Sequence, residues 1–301
     1  MDDSFSDRIK HPEKLRSVSI EGCPEVGEGF SAVVYKTQPD EIVKVYRPGI
    51  SLEDIDRERR LARWAFIKGL PTAIAFDVVT VGDRYGVVFE LLNAVSSVEY
   101  IGRSPECLED FVVKSVNLMK DIHSIEVNDV DLPDMKKNTI RWVEDIRDLL
   151  PDDIYQGLSE LIRQIPESHT LLHADFHVKN ILVSKDQLML IDMDTLSKGD
   201  PIFELATVYN SYREFPDIDP EAASFLGISY ETSRAIWNKT LRLNYPDAGE
   251  NELHIIEKKA QIMGCIRIID FMNRHKDHPA YDKAVTRCLK DLKDSVRELM
   301  H

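Results

Sequence analysis

The stretch Leu171-Leu172-His173-Ala174-Asp175-Phe176-His177-Val178-Lys179-Asn180-Ile181-Leu182-Val183 decides the fold, together with Leu188-Met189-Leu190-Ile191-Asp192-Met193-Asp194 shortly after it. In both segments an apolar run of strand-forming residues borders polar groups, and the polar turn Lys185-Asp186-Gln187 separates the two runs. This pattern predicts a hairpin from which the carboxylates of Asp175 and Asp192 emerge near one another on rigid elements.

The polar groups of this stretch are those that phosphoryl transfer requires. One carboxylate, such as that of Asp175, can orient an acceptor hydroxyl and take its proton. An amide oxygen and a second carboxylate, such as those of Asn180 and Asp192, can hold Mg²⁺ against the β- and γ-phosphates of a nucleotide. The sequence therefore predicts a phosphotransfer centre here.

The N-terminal part of the chain has the pattern of a strand-rich lobe with one helix. Runs of β-branched and aromatic residues predict strands at residues 33–35, 42–46, 75–81 and 86–91. Gly82-Asp83 marks a hairpin turn between the last two strands. The helix begins at a capping-box-like pair, Ser51 and Asp54, and runs to about residue 67. Its predicted apolar stripe consists of Leu52, Ile55, Ala62 and Phe66.

A glycine-bearing turn and a lysine indicate a phosphate site in this lobe. Gly27 and Gly29 lie between apolar runs, where backbone can approach a phosphate closely because glycine has no Cβ. Lys44 is the centre of an apolar strand, and Glu58, on the inward side of the helix, can hold it toward the α- and β-phosphates. An ordinary hairpin and a solvated lysine are the alternatives; the order and spacing of these groups favour the phosphate site.

The central stretch resembles the catalytic loop of kinases. The residues from His173 to Asn180 follow H-x-D-x-x-x-x-N, and Ile191-Asp192 follows as the I-D element. The segment His173-Ala174-Asp175-Phe176-His177 is similar to the aminoglycoside phosphotransferase and choline kinase superfamily. Residues 196–206 are similar to that superfamily's G-D-P-x-x-D-L-A element, with Glu204 in place of the usual aspartate.

The sequence departs from related patterns at a few positions. Protein kinases usually have arginine where this chain has Ala174 and lysine where it has His177, and no protein-kinase activation segment fits between Asp192 and residue 206. Val178-Lys179 stands where the superfamily commonly has proline and glycine. These departures favour a small-molecule kinase over a protein kinase.

The resemblance implies an α+β, bilobed protein-kinase-like fold with a small antiparallel-sheet N-lobe and a larger, mainly helical C-lobe. The predicted lobes are residues 1–92, which bind nucleotide, and residues 93–301, which carry catalysis and acceptor binding. Apolar spacing predicts helices at residues 108–124, 138–150, 153–165, 230–242, 251–274 and 280–299. ATP, or alternatively GTP, and Mg²⁺ are the implied cofactors.

The resemblance also implies roles in the catalytic loop. Asp175 would be the catalytic base, and His173 would support the loop. Asn180 and Asp192 would be the magnesium ligands. Asp194 is predicted to be an exposed or capping carboxylate rather than a third ligand.

The resemblance also implies which residues bind the nucleotide. Lys44 would be the phosphate lysine and Glu58 its partner, under the turn that contains Gly27 and Gly29. The segment from Glu90 to Leu92 would be the hinge that meets adenine by backbone hydrogen bonds.

Two histidines could have either a structural or a functional role. His177 could touch the substrate or pack within its loop. His123, near the end of a predicted helix, resembles a structural histidine of the family rather than a metal ligand.

The acceptor is expected beside the helices that follow the G-D-P element. Acidic residues are frequent there, namely Glu214, Asp217, Asp219, Glu221, Asp247, Glu250 and Glu252. An acidic wall would suit a cationic amino sugar or amino alcohol. Ordinary solvated carboxylates are the alternative, which the overall charge of −15 slightly favours.

Composition narrows the class of protein. The charge of −15 argues against a nucleic-acid partner, and no apolar run is long enough for a membrane span. The polar, acidic start predicts no secretory signal and hence a cytoplasmic location. The four cysteines lack C-x-x-C spacing, so neither a zinc site nor a disulfide framework is indicated. The expected partner is a small-molecule hydroxyl acceptor, with no obligate protein partner evident.

Two other function classes remain open at this stage. One is a nucleotide-binding pseudokinase or regulatory scaffold without turnover, and the other is an atypical protein kinase. The presence of a base, two magnesium ligands and a phosphate lysine favours an enzyme, an ATP-dependent kinase that phosphorylates an alcohol group.

Overall fold

The β-branched runs in the N-terminal third form the main sheet of the protein. The computed structural model describes residues 11–29, 31–185, 187–219 and 225–300. The sheet has six strands in the order β1-β5-β6-β4-β3-β2. Their bounds are Arg16–Ser17, Glu25–Glu28, Ala32–Lys36, Glu41–Tyr46, Ala75–Val81 and Arg84–Glu90 for β1 to β6.

The sheet is antiparallel, as predicted, except at one edge. Strands β2 to β6 pair antiparallel, but β1 runs parallel to β5, with Arg16 opposite Val79. Strand β1 is only two residues long and its side chains are exposed, so no alternating sequence pattern could predict it. The expected turn at Gly82 joins β5 to β6, with φ of +61° at the glycine.

Helix α1, Leu52–Ile67, begins where the sequence predicted. Ser51 is the N-cap, and its hydroxyl accepts the N–H of Asp54 at 3.1 Å. Ile55 and Ala62 are buried as expected, but Phe66 is 42% exposed. Ala65 takes its place in the core, because the buried face passes through residues 61, 62 and 65 and Phe66 lies about 100° further round the helix.

The chain forms two compact units. The first comprises Met1–Val95 and Ile181–Asp194, and the second Ser96–Asn180 and Thr195–His301. The hairpin that was expected among the C-terminal residues therefore groups with the N-terminal strands. Its strands β9, Ile181–Ser184, and β10, Gln187–Leu190, pair antiparallel. The division into functional lobes at residues 92 and 93 stays a prediction.

The second unit is mainly helical. Its short strands are β8, Leu171–Leu172, and β11, Ser197–Lys198, which pair antiparallel, and β7, Val95–Ser96, lies at the boundary of the two units. Helices α2 to α5 are Ser97–Ile101, Pro105–His123, Met135–Asp145 and Asp152–Gln164. Helices α6 to α10 are Ile202–Tyr209, Phe215–Ile218, Tyr230–Asn244, Glu250–Arg274 and Tyr281–Met300. Among the residues that the structure describes, no helix is both long and apolar enough to cross a membrane.

A π-helical segment, Asn210–Glu214, joins α6 to α7 without a break. It packs closely against α9 at Gly264, where an added Cβ would lie 2.2 Å from the side-chain oxygen of Asn210. The Asn210 amide in turn donates to the Gly264 carbonyl at 3.2 Å. This helical stretch was not predicted from the sequence, and π segments are often found at functional sites.

Candidate active site

Lys44 forms the centre of a buried charge cluster in the first unit. Strand β4 presents its ammonium to two carboxylates, with Nζ 2.6 Å from Glu58 Oε1 and 2.6 Å from Asp192 Oδ1. The side chain is 14% exposed, so the cation is largely removed from water. The pairing of Lys44 with Glu58 that the sequence predicted is present, and Asp192 joins it from the segment after β10.

The electrostatics keep this lysine charged. Burial alone would lower the pKa of Lys44, but the adjacent carboxylates of Glu58 and Asp192 raise it above its ordinary value. The Tyr46 hydroxyl donates to the other oxygen of Glu58 at 2.8 Å, which fixes that carboxylate from a second side. Lys44 is thus held as a positioned point charge, as phosphate binding requires.

The same unit offers an oxygen-rich site suited to a hard cation. Carboxylate oxygens of Glu58, Asp192 and Asp194 all lie within 4.8 Å of one another. Carboxylates are the ligands that Mg²⁺ prefers, so the donor set fits this ion. Asp192 has a φ of +66°, a left-handed conformation that is uncommon for residues other than glycine and that often marks a functional position. Asp194 is exposed, as predicted, but stands close enough to share in ion binding.

Asp175 lies in a hydrogen-bonded loop of the second unit. The Asn180 amide nitrogen donates to the Asp175 backbone carbonyl at 3.0 Å and to its Oδ2 at 2.8 Å. Because both bonds use the amide nitrogen, the amide oxygen is not engaged in them and suits a metal ion. His177 lies on the other side, with Nε2 3.4 Å from Asp175 Oδ1.

These neighbours set the protonation state of Asp175. Burial opposes its ionisation, but the hydrogen bond and charge of His177, together with Arg267 and His173, lower the pKa of Asp175 to about 2. The carboxylate is therefore ionised at neutral pH and can accept a hydrogen bond from a substrate hydroxyl. Such a weak base takes the proton only as the O–P bond forms and the hydroxyl becomes acidic.

A buried carboxylate holds the backbone of the catalytic loop. Glu204 is fully buried in α6, and its Oε2 accepts the His173 N–H at 2.6 Å while its Oε1 accepts the Ala174 N–H at 3.0 Å. His123 Nε2 lies 3.9 Å from the same carboxylate. In the sequence, Glu204 stood out only as a departure from the G-D-P-x-x-D-L-A element. Its role in holding the loop follows from the two hydrogen bonds that it accepts from the backbone.

Two further residues that the sequence did not single out for this loop also hold it. The Arg267 guanidinium donates to the Ala174 carbonyl at 2.8 Å, and the buried Tyr212 hydroxyl accepts the Val178 N–H at 2.9 Å. Ala174 itself has a φ of +62°. In the sequence, the only sign of a role for Arg267 in holding this loop was its charge among the apolar residues of α9. The loop is thus fixed on both sides of Asp175 in a conformation that a free alanine rarely adopts.

The predicted nucleotide-binding residues lie in the first unit. Gly27 is in β2, and Gly29 donates its N–H to the Ala32 carbonyl at 2.9 Å. Glu90 ends β6 and uses its N–H on the Ile74 carbonyl. Among the described residues, no hydrogen bond uses the N–H of Leu92, and its role in meeting a nucleotide base stays a prediction.

Three of the seven residues of the predicted acidic wall are paired with basic side chains. Asp217 accepts hydrogen bonds from Arg234 and Tyr230, Asp219 pairs with Lys283, and Glu250 pairs with Arg242. Glu214 is buried rather than surface-exposed. Asp247 and Glu252 are exposed, and Glu221 lies outside the described residues. Asp247 and Glu252 match the alternative of ordinary solvated carboxylates, whereas Glu214 and Asp217 are too well covered for it.

The fold resembles solved phosphotransferases along nearly its whole length. ADP-bound aminoglycoside phosphotransferase APH(2'')-Ib matches with a TM-score of 0.58 at 17% identity, over 98% of this chain and 99% of that one. APH(2'')-IIIa in complex with GDP and kanamycin matches with a TM-score of 0.61 at 10% identity, over 97% and 98%. A choline/ethanolamine kinase family protein from Mesorhizobium loti matches with a TM-score of 0.56 at 12% identity, over 92% of each chain.

Sequence comparison points the same way. A search of curated proteins gave no significant match. Residues 22–236, by contrast, match a family described as the phosphotransferase enzyme family, and this span includes the Lys44 cluster and the Asp175 loop. The chain therefore belongs to the phosphotransferase enzyme family.

Proposed function

We propose that this protein transfers the γ-phosphate of ATP or GTP to a hydroxyl group of a small molecule, with Mg²⁺ as cofactor. The observation that carries the proposal is Lys44, held at 2.6 Å by Glu58 and at 2.6 Å by Asp192. A buried cation between a helix carboxylate and a potential metal ligand has the arrangement that phosphate binding in kinases requires. A purely structural ion pair would not need the third group.

Each group then has a defined task. Lys44 neutralises charge on the α- and β-phosphates, and Glu58 keeps it in place. Asp175 aligns the acceptor hydroxyl and removes its proton late in the transfer, as its low pKa requires. Asn180 and Asp192, with Asp194 nearby, would hold Mg²⁺, which when bound neutralises the charge that develops on the phosphates.

The acceptor class is the least specified part of the proposal. The structural relatives include complexes of APH(2'')-IIa with gentamicin and with streptomycin and ATP, so an aminoglycoside, another amino sugar or an amino alcohol is the first class to test. The paired state of Asp217, Asp219 and Glu250 gives no preference for a cationic acceptor. Neutral sugars and nucleosides therefore belong in the same screen.

The test is Mg²⁺-dependent nucleotide consumption across these acceptors, with product identified by mass. Asp175→Asn should fold and bind nucleotide but lose about two to four orders of magnitude in kcat. The matched control is Asp131→Asn, which makes the same chemical change at an exposed residue of the second unit and should leave kcat unchanged. Nucleotide binding without turnover on any acceptor would favour a pseudokinase, and phosphorylation of protein substrates alone would favour a protein kinase.

A further inference from the structure

Three metal-ligating side chains meet in the helical core of the second unit, outside the residues used above. Glu214 ends the π-helical segment, Cys265 lies in α9 and Cys288 in α10. One ligand atom from each lies within 4.8 Å of those of the other two. All three are buried: Glu214 is 1% exposed and both cysteines are 0% exposed.

The carboxylate of this cluster lacks part of its normal solvation. Glu214 Oε1 accepts a weak hydrogen bond from Cys288 Sγ at 3.6 Å. No hydrogen-bond partner for Oε2 is found among the described residues, although this atom is buried. A buried polar oxygen without a partner is costly and is uncommon in folded proteins, so the group requires an explanation. A bound cation would provide one.

The surrounding charges do not provide full compensation. Asp291 and Arg287 are the charged side chains beside Glu214, and the polar Gln261 also lies next to it. Arg287 is itself engaged by Asp291 in an ion pair. A divalent cation would neutralise Glu214 directly, and the Arg287 guanidinium would offset the remaining negative charge of the complex.

We propose that Glu214, Cys265 and Cys288 form a binding site for a thiophilic divalent metal ion, of which Zn²⁺ is the best fit. Zinc binds thiolate sulfur at about 2.3 Å and carboxylate oxygen at about 2.0–2.2 Å in tetrahedral geometry, which places neighbouring donors about 3.3–3.8 Å apart. The 3.6 Å between Cys288 Sγ and Glu214 Oε1 already falls in this range. Two sulfur donors select zinc over Mg²⁺ or Ca²⁺, which prefer oxygen.

Binding is balanced by the release of protons. Each thiol gives up its proton to solvent as its sulfur binds the metal, the Glu214 carboxylate binds through its oxygen, and no oxidation or reduction occurs. A fourth donor completes the tetrahedron. Gln261 neighbours Glu214, but its amide oxygen already accepts the Ser295 hydroxyl at 2.8 Å, so a water would fill the position.

Such an ion would link three helical segments. It would join the π-helical segment to α9 and α10, and this segment also carries Tyr212, whose hydroxyl accepts the Val178 N–H next to the Asp175 loop. Because the site is closed to solvent, the metal would be loaded as the chain folds. The ion would therefore be structural, and it would act on catalysis only through the stability of this unit.

The simpler alternative is a redox-sensitive cysteine pair. Cys265 and Cys288 are near enough for a sulfur contact, but a disulfide would leave the Glu214 oxygen without a partner. Neither sulfur is accessible to a soluble oxidant in the folded state, since both residues are 0% exposed. The metal site accounts for all three groups, whereas the disulfide accounts for two.

The first experiment refolds the full chain from denaturant and chelator in the presence of Zn²⁺ or Co²⁺. We expect one metal ion per chain after gel filtration and, with Co²⁺, thiolate-to-metal charge-transfer absorption. Cys265→Ser and Cys288→Ser should each lower that absorption by at least half and the double variant should lack it, and Glu214→Gln should weaken binding by more than the roughly tenfold effect of losing an outer hydrogen bond to a ligand. Cys23→Ser and Cys107→Ser, at partly exposed cysteines, are the matched controls and should bind normally.

A second measurement covers the case in which the serine variants do not fold. In mild denaturant, Zn²⁺ should protect Cys265 and Cys288 of the wild-type chain from alkylation, as read by peptide mass, while Cys23 and Cys107 are labelled. The proposal is overturned if the wild-type chain retains no metal, if the cobalt absorption is undiminished in both single serine variants, if Zn²⁺ protects neither buried cysteine, or if these two cysteines are recovered as a disulfide instead.

Discussion

Replacing Glu204 by glutamine, an isosteric change, should destabilise the catalytic loop. The carboxylate is fully buried and accepts the N–H groups of His173 and Ala174 on its two oxygens, at 2.6 and 3.0 Å. Glutamine keeps one oxygen but turns an NH₂ group toward one of these donors. With its oxygen at the Oε2 position, the glutamine leaves the Ala174 N–H only the longer bond of 3.2 Å, and its NH₂ group becomes a buried donor that faces another donor.

The magnitude follows from the bonds that are lost. A hydrogen bond to a charged group contributes about 1.5–3 kcal/mol, and a buried donor left unsatisfied costs about 1–3 kcal/mol. Removing a buried charge offsets part of this sum, so we expect the free energy of unfolding to fall by about 2–4 kcal/mol. Glu204→Asp keeps the charge and both oxygens on a shorter side chain, and it should cost less than Glu204→Gln.

The assay is urea denaturation at neutral pH, followed by tryptophan fluorescence, with kcat measured on each folded variant. Glu252→Gln, at an exposed glutamate of α9, is the matched control and should change stability by no more than about 0.5 kcal/mol. We expect kcat to fall with Glu204→Gln while nucleotide affinity stays near that of the wild type, because the loop bears Asp175. A loss below about 1 kcal/mol, or a larger loss for aspartate than for glutamine, would refute the reasoning.

Three other predictions concern the same two units. Lys44→Ala and Glu58→Ala should each lower kcat/KM strongly. Because both residues act through one 2.6 Å contact, the double variant should be much less impaired than the product of the two single effects. Multiplicative losses of kcat/KM in the double-mutant cycle would contradict this prediction. Ala174→Gly should leave the free energy of unfolding within about 1 kcal/mol of the wild type. Ala174→Val should lower it by about 2–3 kcal/mol, because a β-branched residue rarely adopts a φ of +62°. Equal stabilities of the two variants in urea would count against strain at this position. Burial opposes the ionisation of Glu204, but the hydrogen bonds to its carboxylate and the nearby His123 lower the pKa of Glu204 below the ordinary value of 4.5. The ionised carboxylate therefore stabilises the fold above pH 4.5, and this stabilisation is lost as the pH falls through the folded-state pKa. Wild-type stability should therefore decline more steeply than that of Glu204→Gln below pH 4.5, and parallel curves would contradict the assignment.

Local patterns predicted a large part of this molecule. The strands from residue 32 to residue 90, helix α1 with its Ser51 cap, and the long helices of the second unit follow from periodicity and capping residues that act over one or two turns. The pairing of Lys44 with Glu58 was also predictable, because a lysine buried in an apolar strand needs a carboxylate and the following helix offers one on its inward face.

The sequence by itself determined which chemical groups are present and which regular elements carry them, since these depend on residue type and on neighbours within a few positions. Tertiary packing alone decided that Glu204 and Arg267 fix the backbone of Ala174, and that Glu214, Cys265 and Cys288 share one buried site. The groups in each of these clusters lie far apart along the chain and on different elements, so no spacing rule relates them. Only the burial of the helix faces that carry them brings their polar atoms together, and the need to satisfy those atoms then sets which contacts form.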